Sequence, residues 1–355
     1  MILDDHIKIQ ELDSKKMHAS IEQLDKQIQQ TWEEVSMMTL PESYKSIKNI
    51  VFAGMGGSSL GGYVIEHMYA LQIRIPYRVV NDYHLPAYVD QDTLVILESY
   101  SGTTEETVSA LHDAIEKKAK IIVITAGGEL EKIALSHSLP LYKIEPKFNP
   151  SNQPRMAIGY HLFALIVILS RLGVIKFEEN ELTPIIKELH QTNENNGITI
   201  PTTSNRAKQF ANKLYNRIPI FIAGEFLMGA AHTTRNQINE NIKSLAVYFP
   251  LPESNHHLLE SLDFPERAKD ISFFTLLNSN LYSPKIRKRL IATEQIISEN
   301  HHKTEIIEAQ GTSKLAQVLS SIHFGSYVGY YLSLLYGIDP SPIVRVEEFK
   351  KILSQ

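Results

Sequence analysis

From about Ile47 onward, short apolar runs alternate with stretches of helical spacing, and no other feature limits the possible folds so strongly. "IKNIVFA" leads through a Gly-rich turn into "YVIEHMYAL". Then come "YRVV", "TLVIL", the helix-like "EETVSALHDAIEKKA", "KIIVITA" and "LYKIE". Uninterrupted apolar runs of strand length need burial on both faces. Helices between them provide the crossovers of a parallel sheet, so the pattern is that of βαβ units. "YHLFALIVILSRLGVI" (Tyr160 to Ile175) reads as a mostly buried helix that closes this unit.

The plan repeats further along the chain. "RIPIFIAGEFLMGAA" resembles "IKNIVFAGMGGSSLGG" in its strand, small residues and helix start. "ISFFTLLN" stands where "TLVILES" stood, and "HFGSYVGYYLSLLYGI" (His323 to Ile338) matches the long helix. A weak internal duplication is expected. Before the first unit, Leu3, Ile7, Ile9, Leu12, Met17, Ile21 and Leu24 recur at helical spacing, which predicts one or two amphipathic helices. The polar "TNENNGITIPTTSN" (Thr192 to Asn205) reads as a linker. The expected organisation is an N-terminal helical segment (1–35), a first α/β domain (36–190), a second (205–338) and a C-terminal tail (339–355).

Bulk properties narrow the function classes. The chain has 355 residues, 43% hydrophobic and 21% charged, as in globular proteins with a large core. A net charge of −5 argues against a nucleic-acid partner, because such domains carry a basic surplus. With no cysteine, disulfides, thiol nucleophiles and cysteine metal sites are excluded, which suits a cytoplasmic protein. "MILDDHIKIQELDSKKM" has neither the basic start nor the apolar run of a signal peptide. The longest apolar run, Leu162 to Leu169, is far short of a bilayer span, so no membrane association is expected.

Two loops at predicted strand ends carry the chemistry. "GMGGSSLGG" (Gly54 to Gly62) and "ESYSGTTEET" (Glu98 to Thr107) each open a helix. Ligands of open parallel sheets bind beyond the carboxyl ends of the strands. Free amides at a helix start bind anions, glycines let the backbone approach, and hydroxyls add neutral donors. Glycines such as Gly56 and Gly57, with the loop hydroxyls, Ser99, Ser101, Thr103 and Thr104 among them, are therefore candidates for holding a phosphate without a Lys or Arg. A Walker loop is excluded, since no Gly-Lys-Ser/Thr is present. A dinucleotide site stays open: Gly54 and Gly56 fit G-x-G-x-x-G and Asp82 lies where a ribose-binding acid would stand, but position 59 is Ser. An ordinary turn with Thr103 or Thr104 as helix cap also stays open. The second unit ends its corresponding strand in "LLNSNLYSP", so one anion cradle per chain is expected.

Beyond the loops, "NPSNQPRMAIGY", "NQINENIKS", "LPESNHH" and "DPSPIVRVEEFK" follow in order. With them, nearly the whole chain resembles the bifunctional phosphoglucose/phosphomannose isomerase family, of the sugar isomerase (SIS) fold. The two loops carry the fold, and the later segments carry the particular family. The resemblance implies two SIS subdomains, a homodimer, and no metal or cofactor. It also implies interconversion of glucose 6-phosphate or mannose 6-phosphate with fructose 6-phosphate. By motif, Ser58, Ser99, Ser101 and Thr104 would bind phosphate and Glu240 would be the base. His256 would assist ring opening from the neighbouring subunit, Arg155 would stabilise the intermediate, and Lys350 would lie close to the substrate. The sequence departs from the family pattern at Thr103, where Asn is usual, at Ile242, where Ala is common, and at His257-Leu258, where Asn-Glu is common.

These residue types suit the reaction. Aldose–ketose isomerisation needs a carboxylate that takes a carbon-bound proton and returns it one carbon over. It also needs a fixed cation where enediolate charge develops, and a group titrating near neutrality to open the ring. Metal binding by His256 and His257 is not expected, because no H-E-x-x-H occurs.

Overall fold

A computed structural model of the chain describes residues 2–353. Met1 of the N-terminal segment and Ser354 and Gln355 of the C-terminal tail lie outside the described residues. Two compact units divide them: residues 23–186, and residues 2–22 together with 187–353.

The unit of residues 23–186 is built on a parallel sheet of β1 (Asn49–Gly54), β2 (Tyr77–Val80), β3 (Thr93–Ser99), β4 (Lys120–Thr125) and β5 (Leu141–Lys143). The strand order is β2-β1-β3-β4-β5. β3 is buried along its whole length, as its unbroken "TLVIL" requires, whereas the edge strands β2 and β5 are partly exposed. Alternate residues serve opposite faces. Val51, Ala53, Val95, Leu97 and Val123 pack with Ala110, Leu111 and Ala114, and with Leu130 and Ala134. On the other face the Phe52 ring lies so close to Gly62 that a Cβ there would sit 2.4 Å from it.

Helices of both units follow in chain order. α1 (His6–Leu12) and α2 (Met17–Glu22) belong to the unit with residues 187–353, and α3 (Leu24–Ser36) belongs to the other. Three helices thus stand where the periodicity predicted one or two. The breaks fall at Asp13–Lys16, where Lys16 has φ +53°, and at Gln23. α4 (Leu60–Met68), α5 (Glu105–Glu116), α6 (Gly128–Ser136) and α7 (Ile158–Arg171) complete the first unit. α7 packs against α3 and α4 and is buried continuously from Ile158 to Leu169.

α8 (Leu182–Asn196) runs through Thr192–Asn196, which polarity had suggested was linker. α9 (Arg206–Leu214), α10 (Met228–Ile242), α11 (Ala268–Ile271), α12 (Pro284–Glu299), α13 (Lys314–Leu335) and α14 (Val344–Leu353) follow. They flank a second parallel sheet of β6 (Ile218–Gly224), β7 (Val247–Leu251), β8 (Ser272–Asn278) and β9 (Lys303–Glu308), ordered β7-β6-β8-β9. β7 and β9 are edge strands with mostly half-exposed residues, so the apolar pattern did not reveal them. α13 packs against α9 and α10, and the hydroxyl of each of its buried tyrosines donates to an oxygen acceptor. Tyr327 donates to Asn193 Oδ1 (2.7 Å), Tyr330 to Asp13 Oδ2 (3.1 Å) and Tyr331 to the Asn196 carbonyl (2.5 Å). No described helix is long and apolar enough to cross a membrane.

Candidate active site

β1 has β2 on one side and β3 on the other, so chain crossovers leave it in opposite directions. The crevice beyond the carboxyl ends of β1 and β3 is the ligand position of such a sheet. Both predicted loops open there: Gly54 ends β1, Ser99 ends β3, and Gly54 pairs with Glu98 in register.

The loops are joined and tightly turned. The Tyr100 amide donates to Ser58 Oγ (2.9 Å). Gly56 (φ +53°) starts the turn into α4, and Gly102 (φ +68°) turns the hydroxyl loop. A Cβ on Gly102 would lie 1.7 Å from the Gly127 carbonyl oxygen, so only glycine fits.

Hydrogen-bond direction decides what the serines can offer. The Gly102 amide donates to Ser99 Oγ (3.1 Å) and the Thr103 amide to Ser101 Oγ (3.3 Å). Thr103 Oγ1 also donates to Ser101 Oγ (3.2 Å). Ser58, Ser99 and Ser101 therefore all accept from a backbone amide, and each keeps its own proton to donate. Ser99 and Thr104 hydroxyls lie 2.8 Å apart. Thr104 occupies the N-cap of α5, yet its side chain makes no capping bond. The capped-turn reading is corrected on this point: the hydroxyl faces Ser99, and the first amides of α5 are not covered by their own cap residue. Together, these donors and the positive end of α5 form a cradle for an anion. Asp82, the acid of the dinucleotide reading, is exposed and accepts from the Tyr83 amide (2.6 Å).

Arg155 is brought to the same cradle. It lies in a short turn, Pro154–Met156, and is fully buried, which excludes a surface arginine. Its Nη1 donates to Gln153 Oε1 (2.8 Å). Gly57 admits the turn: a Cβ there would lie 2.5 Å from the Arg155 amide nitrogen. The loop before it is held by its own polar side chains. Asn149 Nδ2 donates to the Gln153 carbonyl and Ser151 Oγ to Asn149 Oδ1. Gln27 of α3 donates to the Phe148 and Met156 carbonyls (both 3.0 Å) and accepts from the Gly159 amide.

Glu240, His256 and Lys350 belong to the other unit. Glu240 is half-buried in the last turn of α10, next to fully buried Asn241. Lys243 ends the helix at φ +57° and donates to the Asn241 and Asp339 carbonyls (3.1 and 2.7 Å). Asn239 Oδ1 accepts from the Ala246 amide (2.7 Å), so the "NENIK" segment is tied on both sides of Glu240. His256 is exposed in the turn Glu253–His256. Its neighbour Asn255 is fixed by Thr293 (2.7 Å) and Arg289 (3.3 Å), and His257 by Glu253 (3.0 Å). Leu258, where the family resemblance leads one to expect an acid, is buried among the core residues. Lys350 and Lys351 are both exposed in the last turn of α14.

Sequence reading missed two buried ionisable groups behind the cradle. Glu98 is the residue before Ser99, and His161 lies on α7; neither has measurable exposure. His161 Nδ1 is hydrogen-bonded to Glu98 Oε1, and its Nε2 lies 3.0 Å from the Pro154 carbonyl. Burial pushes the Glu98 carboxyl up, against the opposing pull of His161. An acid ending an apolar strand and a histidine inside "YHLFALIVIL" were the available signals.

Comparison with known proteins bears on the fold and the family. Residues 203–353 match the bacterial phospho-glucose isomerase C-terminal SIS domain, and residues 43–146 match the SIS domain. A bifunctional phosphoglucose/phosphomannose isomerase of Caldicellulosiruptor bescii is 34% identical, over 96% of this chain and 99% of that protein. A D-glucosamine-6-phosphate 4-epimerase of Sulfolobus acidocaldarius is 30% identical, over 69% of this chain and 78% of that protein. Among solved structures, a hypothetical protein of Thermus thermophilus superposes with a TM-score of 0.74 at 16% identity, covering 96% of this chain and 90% of its own, a likeness of fold. With its two parallel sheets and a relative that is 34% identical over nearly the full length of both chains, the chain belongs to the bifunctional phosphoglucose/phosphomannose isomerase family.

Proposed function

We propose that the protein is an aldose–ketose isomerase that interconverts glucose 6-phosphate, and mannose 6-phosphate, with fructose 6-phosphate. The observation that carries this reading is the cradle of amide-backed serines with the buried Arg155 against its glycine loop. Ser58, Ser99, Ser101 and Thr104 donate to the phosphate, and Gly56 and Gly57 let the backbone approach it. Glu240 takes the proton from C2 and returns it to C1 of the enediolate. Arg155 balances the negative charge on the intermediate's oxygens. His256 moves the ring-oxygen proton, acting from the partner of a homodimer, and Lys350 adds positive charge beside the substrate. The hydrogen stays within the substrate, so the overall reaction consumes no redox partner. In this reading the subdomains are 36–190 and 205–338, the tail 339–355 carries Lys350, and the enzyme works in the cytoplasm.

Glu240→Gln is expected to lower turnover on the order of 10²–10⁴-fold while phosphosugars still raise the melting temperature. Normal turnover in that variant would remove Glu240 as the base. The wild-type chain should be assayed against a panel of hexose, pentose and amino-sugar phosphates. Stabilisation by phosphosugars with no isomerisation of any of them would favour a binding or regulatory protein. The Sulfolobus relative favours one further reading, action on D-glucosamine 6-phosphate, which the same panel tests.

A further inference from the structure

We propose that Glu98 and His161 form a positioning pair that sets Arg155 for the reaction. This rests on the reading of Arg155 as the group that balances charge on the intermediate. The pair lies wholly inside the unit that holds the cradle.

The proton count follows from the partners. A carbonyl oxygen only accepts, so His161 Nε2 carries a hydrogen and donates it to Pro154. Nδ1 then shares one proton with Glu98 Oε1, held either as imidazolium and carboxylate or as imidazole and carboxylic acid. Both forms are neutral overall, as full burial requires. Glu98 Oε2 has no hydrogen-bond partner among the described residues. A strand end needs no such group. The preceding residues of β3 are apolar, and an apolar side chain in place of a half-satisfied carboxyl group commonly costs a fold nothing.

The pair reaches the arginine turn. The Pro154 carbonyl and the Arg155 amide belong to one peptide group. His161 grips that group by its oxygen, and Gly57 packs against its nitrogen and carbon, where a Cβ would lie 2.5 and 2.8 Å away. The plane from which the Arg155 side chain departs is thus fixed from two sides. The same imidazole lies edge-on to Tyr100 at 5.9 Å, and Tyr100 is the residue whose amide backs Ser58. The α7 backbone at His161 also abuts Gly61 of α4. One residue therefore links β3 and the arginine turn through its side chain and the glycine loop's helix through its backbone.

The test is a double-mutant cycle in the full-length protein, read as kcat and KM separately, with inorganic phosphate as a competitive probe of the cradle. Glu98→Leu is expected to lower kcat by about tenfold or more, since a small displacement of a catalytic group is that costly. KM and the phosphate inhibition constant should change less than about twofold. Glu98→Gln should restore most of kcat, because its amide can donate to Nδ1 and keep Nε2–H on Pro154. In an Arg155→Met background, Glu98→Leu should have almost no further effect. Wild-type kcat in Glu98→Leu, or an effect that multiplies with Arg155→Met, would overturn the pair's role and leave Arg155 standing. Normal turnover in Arg155→Met alone would overturn the reading of Arg155 and the pair's role with it. If Glu98→Leu fails to fold, His161→Asn in the same cycle gives the decision.

Discussion

Gly57 shows how a single missing atom shapes the site. A Cβ at this position would meet the Arg155 amide nitrogen and the Pro154 carbon, backbone atoms that cannot rotate away. Gly57→Ala should therefore displace the arginine turn, destabilise the protein by about 1–3 kcal/mol and reduce kcat. Gly173 gives the contrast. It has φ +75° with nothing within 4 Å of a Cβ, so Gly173→Ala meets backbone strain alone, about 1–2 kcal/mol, and should keep its activity. Denaturant midpoints and turnover measured side by side check both, and unchanged kcat in Gly57→Ala would break the link to Arg155. At this scale legibility depended on locality. The hydroxyls lie within six consecutive residues and could be read directly, whereas Arg155, after a Pro/Asn-rich loop, stood out from a surface arginine only through the family motif. Glu98 and His161 are 63 residues apart, and one histidine among fourteen carries no signal until its partner is known.

Helices and strands were legible where burial was complete and hidden where side chains, not periodicity, set the boundary. Asp13 is the clearest case. Its carboxylate accepts from the Met17 and His18 amides (2.6 and 3.0 Å), the His18 ring (2.6 Å) and the Tyr330 hydroxyl (3.1 Å). It starts α2 and ties it to α13. Burial pushes the Asp13 carboxyl up, but the hydrogen bonds from His18 and Met17 outweigh it and hold the group below its ordinary 3.8. The bond to Asp13 holds the His18 imidazole above its ordinary 6.5, against burial, and Glu22 adds to the rise while Lys16 opposes it. The histidine's contribution is complete below about pH 6.5 and fades as pH rises through its folded value; the aspartate's is complete above about pH 3.8 and fades as pH falls through its folded value. The tie between α2 and α13 should thus be strongest between about pH 4 and 6.5. Asp13→Asn should cost about 1–3 kcal/mol within that window. The stability advantage of wild type over His18→Gln should shrink above it. Melting temperatures across pH decide this, and an advantage that grows toward pH 8 would contradict the assignment.

Across the whole molecule, the two sheets share the order second-first-third-fourth strand, which matches the duplication expected from the sequence. Their switch points differ in chemistry. In the first, Ser58, Ser99 and Ser101 accept from backbone amides at the strand ends, an arrangement that suits an anion. In the second, the chain fills the position itself. Tyr282 spans the ends of β6 and β8, accepting from the Gly224 amide (3.1 Å) and donating to the Leu277 carbonyl (3.1 Å). Both carboxylate oxygens of Glu225 lie 3.3 Å from the Ser283 amide at the start of α12, so an internal anion sits at that helix end. Asn278 Nδ2, at the end of β8, donates to Glu308 (2.7 Å), and the Ser279 hydroxyl to Gln317 (2.5 Å), so these donors are turned to the chain itself. The motif difference was readable from "LLNSNLYSP", but the internal carboxylate was not, because Glu225 and Ser283 meet only once both strands are laid side by side. One phosphosugar should therefore bind per chain. Calorimetric titration with fructose 6-phosphate should saturate near one equivalent per chain. Ser101→Ala with Thr104→Val should weaken that single site by about tenfold or more, as expected for the loss of two hydrogen bonds to a charged group. Two equivalents bound, or one equivalent that survives the double substitution at full affinity, would place the anion elsewhere in the molecule.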